Sequence, residues 1–227
     1  MVRVFACALV LSAVTTILCA QEPLRGQVWV ELEPMPGQYA DDPGQTDLQS
    51  LRRRALEEAS LFFSRMIYGW SFHYDIGERS RNIPEKLELT PQGSIAWGDP
   101  GLVATDAGLR DNRFYVWADF RPNAMQQRWV SGWKTGTIRT AQAIGRGPLG
   151  SAVEISDWMT IKQAALEDAA REAIRAILRA GERNRPKAVE GFISLAAFPA
   201  FYMDAGQWAA VGRFRVNIAE IIPFAAY

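Results

Sequence analysis

The chain has 227 residues, with 25 Lys and Arg against 25 Asp and Glu and a single His. A balance this even creates no field to attract nucleic acid or an anionic membrane. Eight Trp, eleven Phe and six Tyr supply ample apolar surface, so a disordered chain is excluded and one domain of ordinary size, or two small packed halves, is expected.

Residues 1–20 read as a secretory signal. Arg3 gives a positive start, and Val4 to Leu18 is apolar but too short to span a bilayer. Cleavage after Ala20 removes Arg3, leaving 24 basic against 25 acidic groups, a net of −1. It also removes Cys7 and Cys19, so the mature chain holds no thiol for a disulfide or a cysteine metal site. The alternatives are a retained anchor, or lipidation of Cys19 with peripheral membrane association. Export to the periplasm is the expectation.

Past the leader, Gln27 to Leu32 alternates as a strand, and Pro34, Pro36 and Pro43 then break the pattern. A first helix starts near Thr46, with Gln49 in capping-box spacing and an apolar stripe Leu48, Leu51, Ala55, Ala59, Phe62, Met66, Trp70. Lys86 to Leu89 reads as an edge strand between Pro84 and Pro91. Gly93–Trp97 and Arg113–Arg121 read as a strand pair joined by a Gly- and Asp-rich loop. In the latter strand Phe114, Val116, Ala118 and Phe120 share one face, and Tyr115, Trp117 and Asp119 the other.

The stretch Gln126 to Gly150 is the least periodic, with short strands expected at Trp129-Val130 and Thr137 to Arg139. A second helix follows, capped by Ser156 or Thr160, with a stripe Leu166, Ala169, Ala170, Ala173, Ile174, Ile177 and a stop at Gly181. Val189–Leu195 and Trp208–Ile218 alternate as the last strands.

Landmarks of the first half return in order in the second. Ala55-Leu56-Glu57-Glu58-Ala59 matches Ala165-Leu166-Glu167-Asp168-Ala169, and Gly93-Ser94-Ile95 matches Gly191-Phe192-Ile193. Asp106-Ala107-Gly108 matches Asp204-Ala205-Gly206, and Phe120-Arg121 matches Phe214-Arg215. The fold expected is α+β: a two-layer sandwich in which two tandem helix–strand–strand units merge into one antiparallel sheet with both helices on one face. Its parts are the signal at 1–20, a first unit at 21–125, an irregular connector at 126–155 and a second unit at 156–227. The first unit's extra residues, Ile76 to Pro91, form a tolerated insertion.

Catalytic patterns fail on context. Gly145 to Gly150 fits G-x-G-x-x-G, but Pro148 removes a backbone donor that a phosphate cradle needs. Ser131 to Gly136 overlays S-x-x-K and K-T-G on the one residue Lys134, which cannot fill both roles. His73 is expected near the end of the first helix as a partly buried or capping residue, and Glu57-Glu58 and Glu167-Asp168 as solvated carboxylates. No catalytic residue, metal ligand or cofactor site is assigned, and the protein is read as a non-enzyme. Tyr115, Trp117, Trp129 and Trp133 are the candidate contacts, exposed rings able to stack on a sugar or anchor a protein. The competing expectation is that the stretch 126–150 covers them.

The second half carries a family likeness. Ala165-Leu166-Glu167-Asp168-Ala169-Ala170-Arg171 leads to a hairpin ending Gly206-Gln207-Trp208-Ala209-Ala210-Val211-Gly212-Arg213-Phe214-Arg215-Val216. It resembles the LPP20-like lipoprotein domain, also found in periplasmic flagellar assembly and collar proteins. The resemblance implies a non-catalytic envelope protein acting through protein partners or self-assembly, and transfers no active-site residue. The chain departs from it in lacking a good lipobox before Cys19. The other functional expectation is a periplasmic binding module for a small molecule, lipid or glycan.

Overall fold

The computed structural model describes residues 23–32, 48–78, 81–148, 158–181 and 186–223. The leader with Cys19, and the proposed caps Thr46 and Ser156, lie outside them. Within them the protein is α+β, with antiparallel sheets and helices packed as a sandwich.

The elements in order are β1 (Leu24–Glu31), α1 (Leu48–Ile67), β2 (Trp70–Asp75), β3 (Lys86–Pro91), β4 (Leu102–Arg110) and β5 (Arg113–Phe120). They continue with α2 (Ala124–Gly132), β6 (Arg139–Arg146), α3 (Trp158–Gly181), β7 (Ala188–Leu195), β8 (Ala200–Asp204) and β9 (Gln207–Ile222). The strands form two sheets rather than one. A three-stranded sheet has the order β1-β5-β4, and a six-stranded sheet the order β3-β2-β7-β9-β6, with β8 also paired to β9. Each half of the chain therefore runs strand, helix, strand, then hairpin, with β3 added before the hairpin in the first half, and its last strand returns to pair with its first.

Helix α1 packs against the inner face of the three-stranded sheet and against β7. Phe63 stacks near Phe120 and Phe198, and Phe62 near Phe198 and Phe201. A fully buried Phe of this kind contributes about 2–3 kcal/mol. The repeated alanines Ala55, Ala59, Ala165 and Ala169 are all completely buried, and Ala165 and Ala169 lie where α3 presses on Gly145 of β6.

Several expectations are corrected. The first helix stops at Ile67, short of Trp70, because Gly69 adopts φ +70° and a Cβ there would strike the Ile193 carbonyl. Trp70 and His73 are therefore on β2. Gly93–Trp97 is a loop, held to α1 by Ser64 Oγ accepting from Ile95 N (2.9 Å) and Ser60 Oγ donating to Ile95 O (3.3 Å). The partner of β5 is instead β4, joined through Asp111-Asn112, both at positive φ as a two-residue hairpin of this hand requires. Asp106-Ala107-Gly108 thus sits inside a strand, whereas Asp204-Ala205-Gly206 makes the β8–β9 turn. The described part of the stretch 126–150, residues 126–148, is not irregular. Trp129 is on α2, whose N-terminus carries a full Asn123–Gln126 capping box, and β6 is an edge strand.

Candidate functional site

Alternation along β5 sends Phe114, Val116, Ala118 and Phe120 into the core and Tyr115 and Trp117 outward. Pairing on both sides extends this into rows across the outer face. Arg25, Asp119 and Val103 form one row, Gln27, Trp117 and Asp106 the next, then Trp29, Tyr115 and Gly108, and last Glu31, Arg113 and Arg110. A bulge between Ala104 and Asp106 sets that register. Gly108 puts no side chain beside Tyr115, which leaves a shallow concavity of about 190 Å³ lined by Gln27, Asp106, Gly108, Arg110, Tyr115 and Trp117.

Each ring is paired with a guanidinium. Arg25 lies 5.2 Å from the Trp117 ring centre, Arg110 5.1 Å from Tyr115 and Arg113 3.9 Å from Trp29. These contacts hold flat rings in place on a solvent-facing sheet. Trp117 is 37% exposed, and Val103 on the edge strand β4 exceeds half. The described residues 126–148 do not cover this face; they build α2 and an edge of the other sheet. What the face offers chemically is stacking, hydrogen bonding and charge, the means of binding.

The four predicted contact residues separate into two groups. Tyr115 and Trp117 lie together on this face. Trp133 is buried, its Nε1–H donating to Ile67 O at 2.9 Å, so it pins α2 to the last turn of α1. Trp129, part exposed, rests edge-on against Tyr68. Trp133→Phe should cost about 1–2 kcal/mol by leaving that carbonyl unpaired, read as a lower melting temperature with binding at Trp117 unchanged.

Behind Trp29 the row runs into a buried charge cluster that the sequence reading missed. Lys162 Nζ donates to Trp29 O (2.8 Å) and to Glu58 Oε1 (3.0 Å), lies 4.0 Å from Glu31 Oε2, and sits 4.1 Å from the Trp29 ring centre. Glu58, expected on a solvated face, is 4% exposed because α1 is enclosed at this level by β1 and α3. Burial pushes the Glu58 and Glu31 carboxyls above the usual carboxylate range, against the pull of Lys162. The available signal was Lys162 itself, four residues before Leu166 on the buried stripe of α3.

The other sequence candidates resolve simply. His73 hydrogen-bonds Glu190 Oε1 (2.8 Å) and Asp75 Oδ1 (3.3 Å) on the open face of β2, and the Glu190 bond holds its pKa above the ordinary value. Among the described residues no group of His, Cys, Asp and Glu has the arrangement of a metal site, and no helix is long and apolar enough to cross a membrane. Gly145 lies in β6 beneath α3 and forms no phosphate cradle.

Fold and site together define a small α+β sandwich with an open, arginine-buttressed aromatic face. A protein-family model matches residues 14–224, and the chain belongs to that family. It is similar, at 26% identity over 203 residues, to an uncharacterized protein of Treponema pallidum (strain Nichols), the match covering 88% of this chain and 81% of that one. No solved structure matches the chain.

Proposed function

We propose that this protein is an exported, non-enzymatic component of the bacterial cell envelope that works through protein contacts made by the outer face of its three-stranded sheet. The observation that carries the reading is the open row of Trp117 and Tyr115, braced by Arg25 and Arg110 beside the exposed edge strand β4. Aromatic and Arg side chains of this kind anchor protein interfaces. The apolar leader at residues 1–20 supports export. The likeness of the second half to LPP20-like and flagellar collar domains supports placement in a periplasmic or flagellum-associated assembly.

A photo-crosslinking residue at position 117, expressed in cells, tests this. The expected result is a discrete crosslinked species that Tyr115→Ala weakens. Trp117→Ala should then cost the complex about 2 kcal/mol, roughly thirtyfold in Kd. Absence of any crosslinked species from the envelope fraction overturns the reading.

The concavity beside Gly108 favours a second reading, a binding module for a small molecule, lipid or glycan, in which a ring stacks on Trp117 or Tyr115 and Gln27, Asp106 and Arg110 supply polar contacts. Titrating tryptophan fluorescence with cell-wall fragments and lipids separates the two. A saturable shift, lost in Trp117→Phe, supports this second reading; no shift with any of them removes it.

A further inference from the structure

The outward face of the six-stranded sheet sorts its charges by row. Glu88, His73, Glu190 and Glu220 lie side by side across β3, β2, β7 and β9, with Lys86 and Asp75 in the row beyond. The next row, Thr90, Ser71, Phe192 and Asn217, is uncharged. Past it come Ser194, Arg215 and Thr140, then Arg213 and Gln142, and then Val211 and Ile144. One half of the face thus holds four acids against Lys86 and His73, and the other half, out to Val211 and Ile144, holds arginines alone; beyond it Arg146 and Asp204 pair with each other. Phe192 stands between them, 38% exposed, and Ile144 is 47% exposed. Glu88, Arg213, Gln142 and Glu220 are exposed as well, so the face is open at these positions, while Ser194 is fully buried and Arg215 is half-buried, donating to Leu195 O and Ala196 O.

We propose that this face binds a second copy of the same chain, sheet against sheet, about a two-fold axis that runs along the Phe192 row in the plane midway between the two sheets. That rotation carries the acidic rows of each copy onto the Arg213 and Arg215 rows of the other and sets the two Phe192 rings against each other. A two-fold contact must be self-complementary, and opposite charge on either side of an apolar centre meets that condition. Rows from Glu220 to Val211 span about 27 Å and no row crosses more than four strands, about 14 Å, so two copies bury at most on the order of 800 Å² together. That is below the size of a standard specific interface, and the dimer is accordingly weak and sensitive to salt.

This surface is separate from the aromatic face, so its test is independent of the proposed function. Cys7 and Cys19 are the only cysteines of the chain. With both replaced by Ser, Phe192→Cys should form a disulfide-linked dimer under mild oxidation, whereas Trp117→Cys, equally exposed but on the other sheet, should not. By sedimentation, Glu220→Arg and Arg213→Glu should each weaken self-association at least tenfold while circular dichroism stays unchanged. An equimolar mixture of the two should recover it, because each altered charge then meets its opposite. Crosslinking equal at positions 192 and 117, a wild type that stays monomeric at high concentration, or no recovery on mixing overturns the proposal.

Discussion

Lys162→Met lowers stability by about 3–5 kcal/mol, a fall in melting temperature of roughly 6–20 °C for a chain of this size. Met preserves the length of the stem, so little cavity opens. What is lost is the cation that Glu58 faces at 3.0 Å in an almost water-free site, together with the bond to Trp29 O. An unpaired carboxylate there is far costlier than a paired one. The double variant Lys162→Met with Glu58→Met should recover most of the loss, since replacing both partners leaves no orphan charge.

The same substitution has a pH signature whose sign follows from the wild type. Burial already holds the Glu58 and Glu31 carboxyls above their ordinary value in the fold. A folded pKa above the unfolded one means that these groups favour the fold most below the ordinary carboxylate range, and that this contribution is lost as pH rises through the raised values. Removing Lys162 deletes the main influence pulling Glu58 down, so its pKa rises further. The deficit of the variant relative to wild type should therefore be greater at about pH 8 than at about pH 5. Urea denaturation of both proteins at the two pH values measures it, and a deficit that grows on acidification contradicts the account.

Gly145→Val is the second large effect, costing about 3 kcal/mol or more. A Cβ at this position of β6 would overlap the backbone of Ala165, Asp168 and Ala169 in α3. Backbone cannot turn aside as a side chain does, so the helix must lift from the sheet. Lifting it exposes Leu166 and Ile174, both fully buried in the wild type. The matched control is Gly108→Ala, where an added Cβ meets nothing within 4 Å, and which should change stability by less than about 0.5 kcal/mol. Thermal melts of the two variants decide the matter. Similar losses in both would show that α3 does not rest on Gly145 as described.

Much of this molecule was legible locally. The alternation from Phe114 to Phe120 foretold which face of β5 is buried, and so placed Tyr115 and Trp117 on the opposite one. The alanine steps at Ala55, Ala59, Ala165 and Ala169 marked the close-packed helical faces. Helix α2 was readable too, from the Asn123–Gln126 capping-box spacing, but lay hidden in a stretch with little apolar period. His73 was misplaced for a related reason: the apolar stripe of α1 runs on in register into Trp70, and only Gly69 betrays the stop.

What the sequence by itself determined is the set of one-dimensional patterns, because a strand's period and a helix's stripe are properties of neighbouring residues. These fix the α+β class, the outward aromatics and the central place of the repeated alanines. The division into two sheets was decided by tertiary structure alone, since any of these half-apolar strands could have paired with any other. The same holds for Lys162 and Glu58, which meet across 104 positions of chain. Taken singly, each is a charge whose solvent exposure local spacing cannot set. Only the packing of β1, α1 and α3 around them removes the water and makes each the other's necessary partner.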